Sequence, residues 1–233
     1  MAAISPLDRR ADHADLTEQT YRFLRELIVT RAVGPGAKLT AEGLSHQLGV
    51  SRTTVKGALD QLAAEGLVIV RPQVGTFVRG LDGKDVAALW DARLMVEVFA
   101  VRLGVVAATD AQRAELAELV AAMEPTVVGQ DYREDAYAEV VRINRRLHEL
   151  VVETSANPYL LEIYRQLSAQ LRIVNFRTHQ GFRRADLAHA EHRQIAEAYE
   201  RRDPALAADA MARHLERSRN GAIAAAARQG GPL

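Results

Sequence analysis

The stretch that most restricts how this chain can fold is Ser51-Arg52-Thr53-Thr54-Val55-Lys56-Gly57-Ala58-Leu59-Asp60-Gln61-Leu62-Ala63-Ala64-Glu65-Gly66-Leu67. Val55, Ala58, Leu59, Leu62 and Ala63 recur at helical spacing, so one stripe of the segment must be buried against something else. Arg52, Thr53, Thr54 and Lys56 are then left on an exposed first turn. Ser51 is a ready N-cap. Short hydroxyl and cationic side chains at a helix end suit phosphate oxygens and base edges, which makes this terminus a candidate contact surface.

The flanking residues supply the partners such a helix needs. Upstream, Tyr21, Leu24, Leu27 and Ile28 mark an amphipathic helix from about Leu16 to Arg31, broken sharply by Val33-Gly34-Pro35-Gly36. A short helix from Ala41 to Leu48 follows, with Thr40 as its cap and Gly49 at its end. Two helices joined by a glycine-containing turn, the second presenting a polar N-terminal turn, predict a helix-turn-helix. Downstream the period changes. Leu67–Val70 and Thr76–Arg79 are β-prone runs around Arg71-Pro72-Gln73-Val74-Gly75, which reads as a hairpin wing. A winged helix-turn-helix domain over residues 8–79 is the expectation.

Gly80-Leu81-Asp82-Gly83 reads as a linker. Beyond it the pattern predicts six helical segments, near 84–108, 110–124, 131–154, 158–179, 186–202 and 204–227. Their starts are marked by Thr109 with Gln112, by Asn157 before Pro158 and by Asp203 before Pro204. The predicted fold is therefore mainly α: the winged domain followed by an antiparallel all-α bundle over residues 84–227, with a frayed tail at 229–233.

Bulk properties bound the function. The 233 residues suit two domains, and no apolar run is long enough to cross a bilayer. The chain has no cysteine, and its first residues lack the apolar core of a signal peptide, so a cytoplasmic location is expected. Lys and Arg total 30 against 30 Asp and Glu. Residues 1–80 carry a basic excess of only about two charges, so a case for nucleic-acid binding must rest on pattern and placement.

The pattern is specific. Val33–Leu39, Leu48-Gly49-Val50-Ser51-Arg52-Thr53-Thr54-Val55 and Glu65-Gly66-Leu67 closely resemble the winged-helix domain of GntR-family regulators, and the helical remainder resembles the effector-binding domain of the FadR-type subfamily. The resemblance implies a homodimer that binds a palindromic double-stranded operator and releases it when a small molecule enters the helical domain. It places Arg52, Thr53, Thr54 and Lys56 at the major groove and Gly75, at the wing tip, near the minor groove. Lys56 stands where relatives often have arginine, Gly57 where an acidic residue is usual, and Glu42, read as solvated surface, where some members contact DNA with arginine. Lysine lacks arginine's rigid fork onto guanine, so the bases read are left open.

One constellation carries chemistry. Asn144 and His148, four residues apart in a strongly periodic helix, share a face. His192 is in register with Ile195, Ala196 and Tyr199, and His214 with Leu206, Ala207, Ala210 and Met211, so both imidazoles are expected to face the bundle interior. Three inward histidines with one oxygen ligand suit a divalent ion, zinc first, with nickel or manganese possible alternatives. The resemblance implies the same set, Asn144, His148, His192 and His214, as metal ligands. A neutral amide in place of a carboxylate favours an anionic effector, a small organic or sugar acid; the resemblance implies Arg93, at a position that faces the cavity in the family, as its partner, with Arg172 as a secondary candidate. His13, His46, His179 and His189 read as surface, and Arg142, Arg145, Arg146, Arg183 and Arg184 as solvated helix faces. Two other readings stay open: a metal-free regulator taking an apolar or acyl effector, and a zinc hydrolase with Glu149 or Glu191 as base. Against the hydrolase, the sequence has no His-Glu-x-x-His helix.

Overall fold

A computed structural model describes the backbone of residues 13–128, 134–178 and 180–228, and the side chains there except those of 13–14, 125–128, 134–138, 172–178 and 180–186. The amino-terminal third comprises α1 (His13–Val29), β1 (Lys38–Leu39), α2 (Ala41–Leu48), α3 (Arg52–Ala64), β2 (Val68–Arg71) and β3 (Gly75–Val78). Thr40 Oγ1 accepts from the Gly43 amide and caps α2, and Gly49 ends it in the left-handed conformation at φ 68°. β2 and β3 form the expected antiparallel hairpin, with Ile69 opposite Phe77. A third strand, β1, pairs antiparallel with the other edge of β3, so the sheet order is β1-β3-β2. The sequence reading placed no strand at Lys38–Leu39, because two residues are too few to show an alternation.

The buried faces of α1, α3 and the hairpin meet in one core of Leu24, Ile28, Val55, Leu59, Leu62, Leu67, Val68 and Val78. Tyr21 and Arg25 of α1 both reach Glu65 at the end of α3, at 2.7 and 2.9 Å. Gly57, where a larger residue was expected from relatives, has a local cause. A Cβ there would lie 2.9 Å from Thr17 Cγ2 of α1, so the glycine lets α1 settle onto α3.

The segment at 80–83 is not a loose tether. Leu81 is buried in the same core, the Arg79 amide donates to the Leu67 carbonyl, and Asp82 already caps the next helix in a reciprocal box with Asp85. Six helices follow: α4 (Gly83–Ala107), α5 (Asp110–Val128), α6 (Glu134–Glu153), α7 (Pro158–Thr178), α8 (Gln180–Glu200) and α9 (Pro204–Arg228). α8 starts six residues before the expected position, and residues 131–133 of the expected third segment lie outside the described residues. Thr109 with Gln112, Asn157 and Asp203 each cap a helix as the sequence pattern indicated.

α4 is the central helix and packs most extensively on α9, whose buried face is rich in small residues, Ala207, Ala208, Ala210, Gly221, Ala222, Ala225 and Ala226, around Met211, His214 and Leu215. On α4 the inward stripe runs Val86, Trp90, Arg93, Glu97, Ala100, Val101, Gly104 and Val105. Two charged residues therefore sit in a core register, and they position the site described next.

Candidate functional site

The first turn of α3 is built around its cap. Ser51 Oγ accepts from the Thr54 amide at 3.0 Å and shares a 2.8 Å hydrogen bond with Thr54 Oγ1. Thr54 is consequently buried at 2% exposure, which corrects the expectation that it lies on the exposed turn. Arg52, Thr53 and Lys56 are exposed. Glu42 is exposed as expected, but it is paired: its Oε1 accepts from Arg52 Nη2 at 2.5 Å, linking the first turns of α2 and α3.

The wing carries the cations Arg71, legible in the hairpin tip, and Lys38, which sequence reasoning missed. Lys38 of β1 and Arg71 of β2 both lie over the Phe77 ring of the strand between them, at 5.9 and 5.1 Å from its centroid. Gly75 adopts φ +133°, and a Cβ there would lie 2.8 Å from Lys38 Cε, so the missing side chain makes room for the lysine stem. The pairing of β1 with β3 brings Lys38 here from across the sheet, and no spacing rule in the sequence announces it.

In the helical domain α6, α8 and α9 bring His148, His192 and His214 together, all buried at 1 to 4% exposure. One ring nitrogen from each lies within 4.8 Å of the others. His148 Nε2 and His214 Nε2 are 3.2 Å apart, and the His192 ring centroid is 4.5 Å from that of His214. Burial pushes His148 down to about 4 against the pull of Glu97, and burial with the neighbouring imidazoles holds His192 well below the usual range. Both rings are neutral at pH 7. Neither nitrogen of His192 has a hydrogen-bond partner among the described residues, which is costly for a buried imidazole. Two nitrogens on one tetrahedral zinc at 2.0–2.1 Å stand roughly 3.3 Å apart, so this donor set fits a borderline divalent cation. Asn144 is half-buried, one turn before His148 on the same helix.

Two carboxylates back the histidines. Glu97 Oε2 meets His148 Nδ1 at 2.5 Å, and Glu191 Oε2 meets His214 Nδ1 at 2.9 Å. Arg93 Nε donates to Glu97 Oε1, and the Arg93 guanidinium lies 5.0 Å from the Trp90 ring and 5.8 Å from that of Tyr164. Burial would raise the Glu97 carboxyl, but Arg93 and His148 outweigh it and hold it at about 2. Arg217 pairs with Glu191 Oε1 at 2.6 Å.

The remaining readings divide. His189 was expected at the surface, but it is buried and its Nε2 donates to the Val120 carbonyl at 3.2 Å. It lies within the predicted segment 186–202, three residues before His192 and on the same inward face, a register that the sequence reading passed over. Arg146 is half-buried rather than a solvated face, bridging Glu115 of α5 and Glu153 of its own helix at 2.8 Å each. His46, Arg142 and Arg145 are exposed as expected. His179 and the side chains of His13, Arg172, Arg183 and Arg184 lie outside the described residues.

Known proteins share the succession of the two domains. Residues 16–78 match the profile of the bacterial regulatory proteins of the gntR family, and residues 88–217 match the FCD domain. The chain belongs to the GntR family, in its FCD-domain branch. It is 32% identical to an HTH-type transcriptional regulator in an unstable DNA locus of Streptomyces ambofaciens, over 84% of this chain and 80% of that one. It is 28% identical to the gluconate operon transcriptional repressor of Bacillus licheniformis, over 62% of this chain and 57% of that one. Among solved structures, Escherichia coli McbR/YncC superposes with a TM-score of 0.72 at 23% identity, covering 92% of this chain and 98% of the other, which shows a common fold. This GntR-family chain is a DNA-binding transcriptional regulator and not an enzyme. No described helix is long and apolar enough to cross a membrane.

Proposed function

We propose that this regulator acts in the cytoplasm as a homodimeric repressor, and that a small carboxylate bound at a metal in its helical domain controls its grip on a palindromic operator. The observation that carries the reading is the convergence of three buried imidazoles with Nε2 atoms of His148 and His214 only 3.2 Å apart. His148, His192, His214 and the amide oxygen of Asn144 would hold zinc, or nickel or manganese. When bound, the ion would supply a Lewis-acidic charge that attracts an anion. Arg93 would meet that anion through its Nη groups while Glu97 fixes its Nε, and Arg172 is a second candidate. The relative's link to a gluconate operon supports a sugar acid as the effector class.

Residues 8–79 form the DNA-binding unit in this reading, with Arg52, Thr53 and Lys56 in the major groove and the Gly75 wing at the minor groove. Thr54 holds the Ser51 cap in place rather than touching bases. An exposed apolar stripe of Met95, Phe99, Leu103 and Val106 on α4, with Tyr159 and Ile163 exposed on α7, a helix that packs against α4, supports pairing of two helical domains. Since α4 leads out of the wing, a tilt of α4 would alter the separation of two recognition helices.

The test uses full-length protein stripped with chelator and retitrated with zinc, a duplex selected from a random library, and gluconate as probe. One zinc per chain and at least a tenfold change of duplex affinity with gluconate, lost in His192→Ala or His214→Ala while basal duplex binding survives, are expected. Absence of stoichiometric zinc, nickel or manganese after reconstitution would remove the metal from the reading.

A further inference from the structure

The histidine pocket is asymmetric in its outer contacts. Glu97 of α4 and Glu191 of α8 engage His148 and His214 at Nδ1, each carboxylate is held in turn by an arginine, and His192 has no such partner among the described residues. We propose that Glu97 and Glu191 are positioning residues that lock His148 and His214 as Nδ1–H tautomers, so that the pair is a preset chelator and His192 the adaptable third ligand. This rests on the metal reading given above.

The chemistry follows from donor and acceptor capacity. An ionised carboxylate only accepts, so a ring nitrogen facing it must carry the proton, and a neutral imidazole protonated at Nδ1 presents a bare lone pair at Nε2. With both rings so held, two lone pairs face each other at 3.2 Å. That distance is also an ordinary hydrogen-bond length. If either ring could move its proton to Nε2, it would donate to the other, and the pocket would satisfy itself without a ligand. Backed by Glu97 and Glu191, neither ring can do so without giving up its hydrogen bond to a carboxylate and turning a bare Nδ1 lone pair towards it at 0 to 7% exposure. Only a cation or an external donor then relieves the two facing acceptors. The same carboxylates raise the basicity of the ligating nitrogens, as outer contacts do in metal sites generally.

Two measurements on the full chain test this. Long-range 1H–15N correlation spectra of 15N-histidine-labelled, metal-stripped protein read the tautomers directly. His148 and His214, assigned by single substitutions, should show protonated Nδ1 and bare Nε2, and Glu191→Gln should release the His214 lock alone. Competition against a fluorescent chelator then reads zinc affinity. Glu191→Gln, and Glu97→Gln in an Arg93→Met background so that no guanidinium is left unpaired, should each weaken zinc by about 10- to 100-fold. An Nε2–H tautomer at His148 or His214 in the wild-type protein would overturn the proposal. So would zinc affinity within about threefold of wild type in folded Glu191→Gln protein. Failure of the wild type to take up zinc would instead overturn the metal reading, and the tautomer spectra, recorded without metal, would still decide the lock.

Discussion

Breaking the Arg93–Glu97 pair should be far more damaging than removing it. The pair lies on the inward stripe of α4, at 7% and 0% side-chain exposure. The Glu97 carboxyl is held at about 2 against an ordinary 4.5, although burial alone would raise it. At 1.36 kcal/mol per pH unit, the surroundings favour the ionised form by roughly 3 kcal/mol. Glu97→Gln forfeits that and leaves a buried guanidinium whose described neighbours are the Trp90 and Tyr164 rings. Measured costs of breaking buried pairs run about 3–5 kcal/mol, and the ring contacts, already made in the wild type, offset none of this, so a loss of at least about 3 kcal/mol is expected. Arg93→Met should cost a similar amount by stranding the carboxylate. Arg93→Met with Glu97→Gln together should cost no more than either alone, giving a coupling energy of at least about 3 kcal/mol. The assay is urea unfolding of metal-stripped protein at fixed concentration, followed by Trp90 fluorescence. Trp90 is the single tryptophan and lies against Arg93, so its signal reports the helical domain. Single-variant losses under about 1 kcal/mol, or losses that add within about 0.5 kcal/mol in the double variant, would refute the reasoning.

Acid should weaken the same domain from two sources. His148 titrates at about 4 when folded and 6.5 otherwise, so the unfolded chain takes its proton first; stability is full above about pH 6.5 and falls by up to roughly 3 kcal/mol towards pH 4. Glu97, depressed to about 2, adds a loss between pH 4.5 and 2; a Trp90-monitored midpoint that stays flat from pH 7 to 4 would contradict the first source, and one that stays flat from pH 4.5 to 2 the second. Gly104→Ala should destabilise by about 2 kcal/mol, despite the better helix propensity of alanine, as read by thermal unfolding. Its Cβ would lie 2.0 Å from Thr154 Oγ1, which hydrogen bonds to Val151 O and Tyr199 Oη at 2.7 and 2.9 Å hold in place. On the DNA face, Lys38→Gln should lower the salt slope of duplex binding by about one while leaving sequence preference unchanged, whereas Arg52→Ala should change the preference. Thr54→Val should leave the preference intact and cost under about 1 kcal/mol of stability, and a changed base preference in a binding-site selection would show that Thr54 does reach the duplex.

The parts of the fold that were legible in the sequence are those specified by near neighbours. The Ser51 cap, the helix-ending Gly49 and the hairpin period are each set within a few residues, and the structure holds all three. The inward direction of His148, His192 and His214 was legible too, because each follows the apolar register of its own helix. What failed was any residue whose environment another element decides. Thr54 looks exposed from the helix alone and is buried by its own cap; His189 looks polar and isolated until α5 brings the Val120 carbonyl to it; Lys38 joins the wing only through strand pairing across β3. Glu97 is the sharpest case. An arginine and a glutamate four apart on a helix ordinarily signal a solvated pair, and nothing local reverses that. The reversing signal lies in the spacing of Val86, Trp90, Ala100 and Gly104, which puts both charges on the buried stripe. A charge that keeps a core register across a whole helix has to be answered from elsewhere in the chain, and here the answer is an imidazole 51 residues away. That rule separates structural from solvated charges using sequence alone, and along α4 it selects Arg93 and Glu97 while passing over Asp91 and Arg102, both of which are exposed.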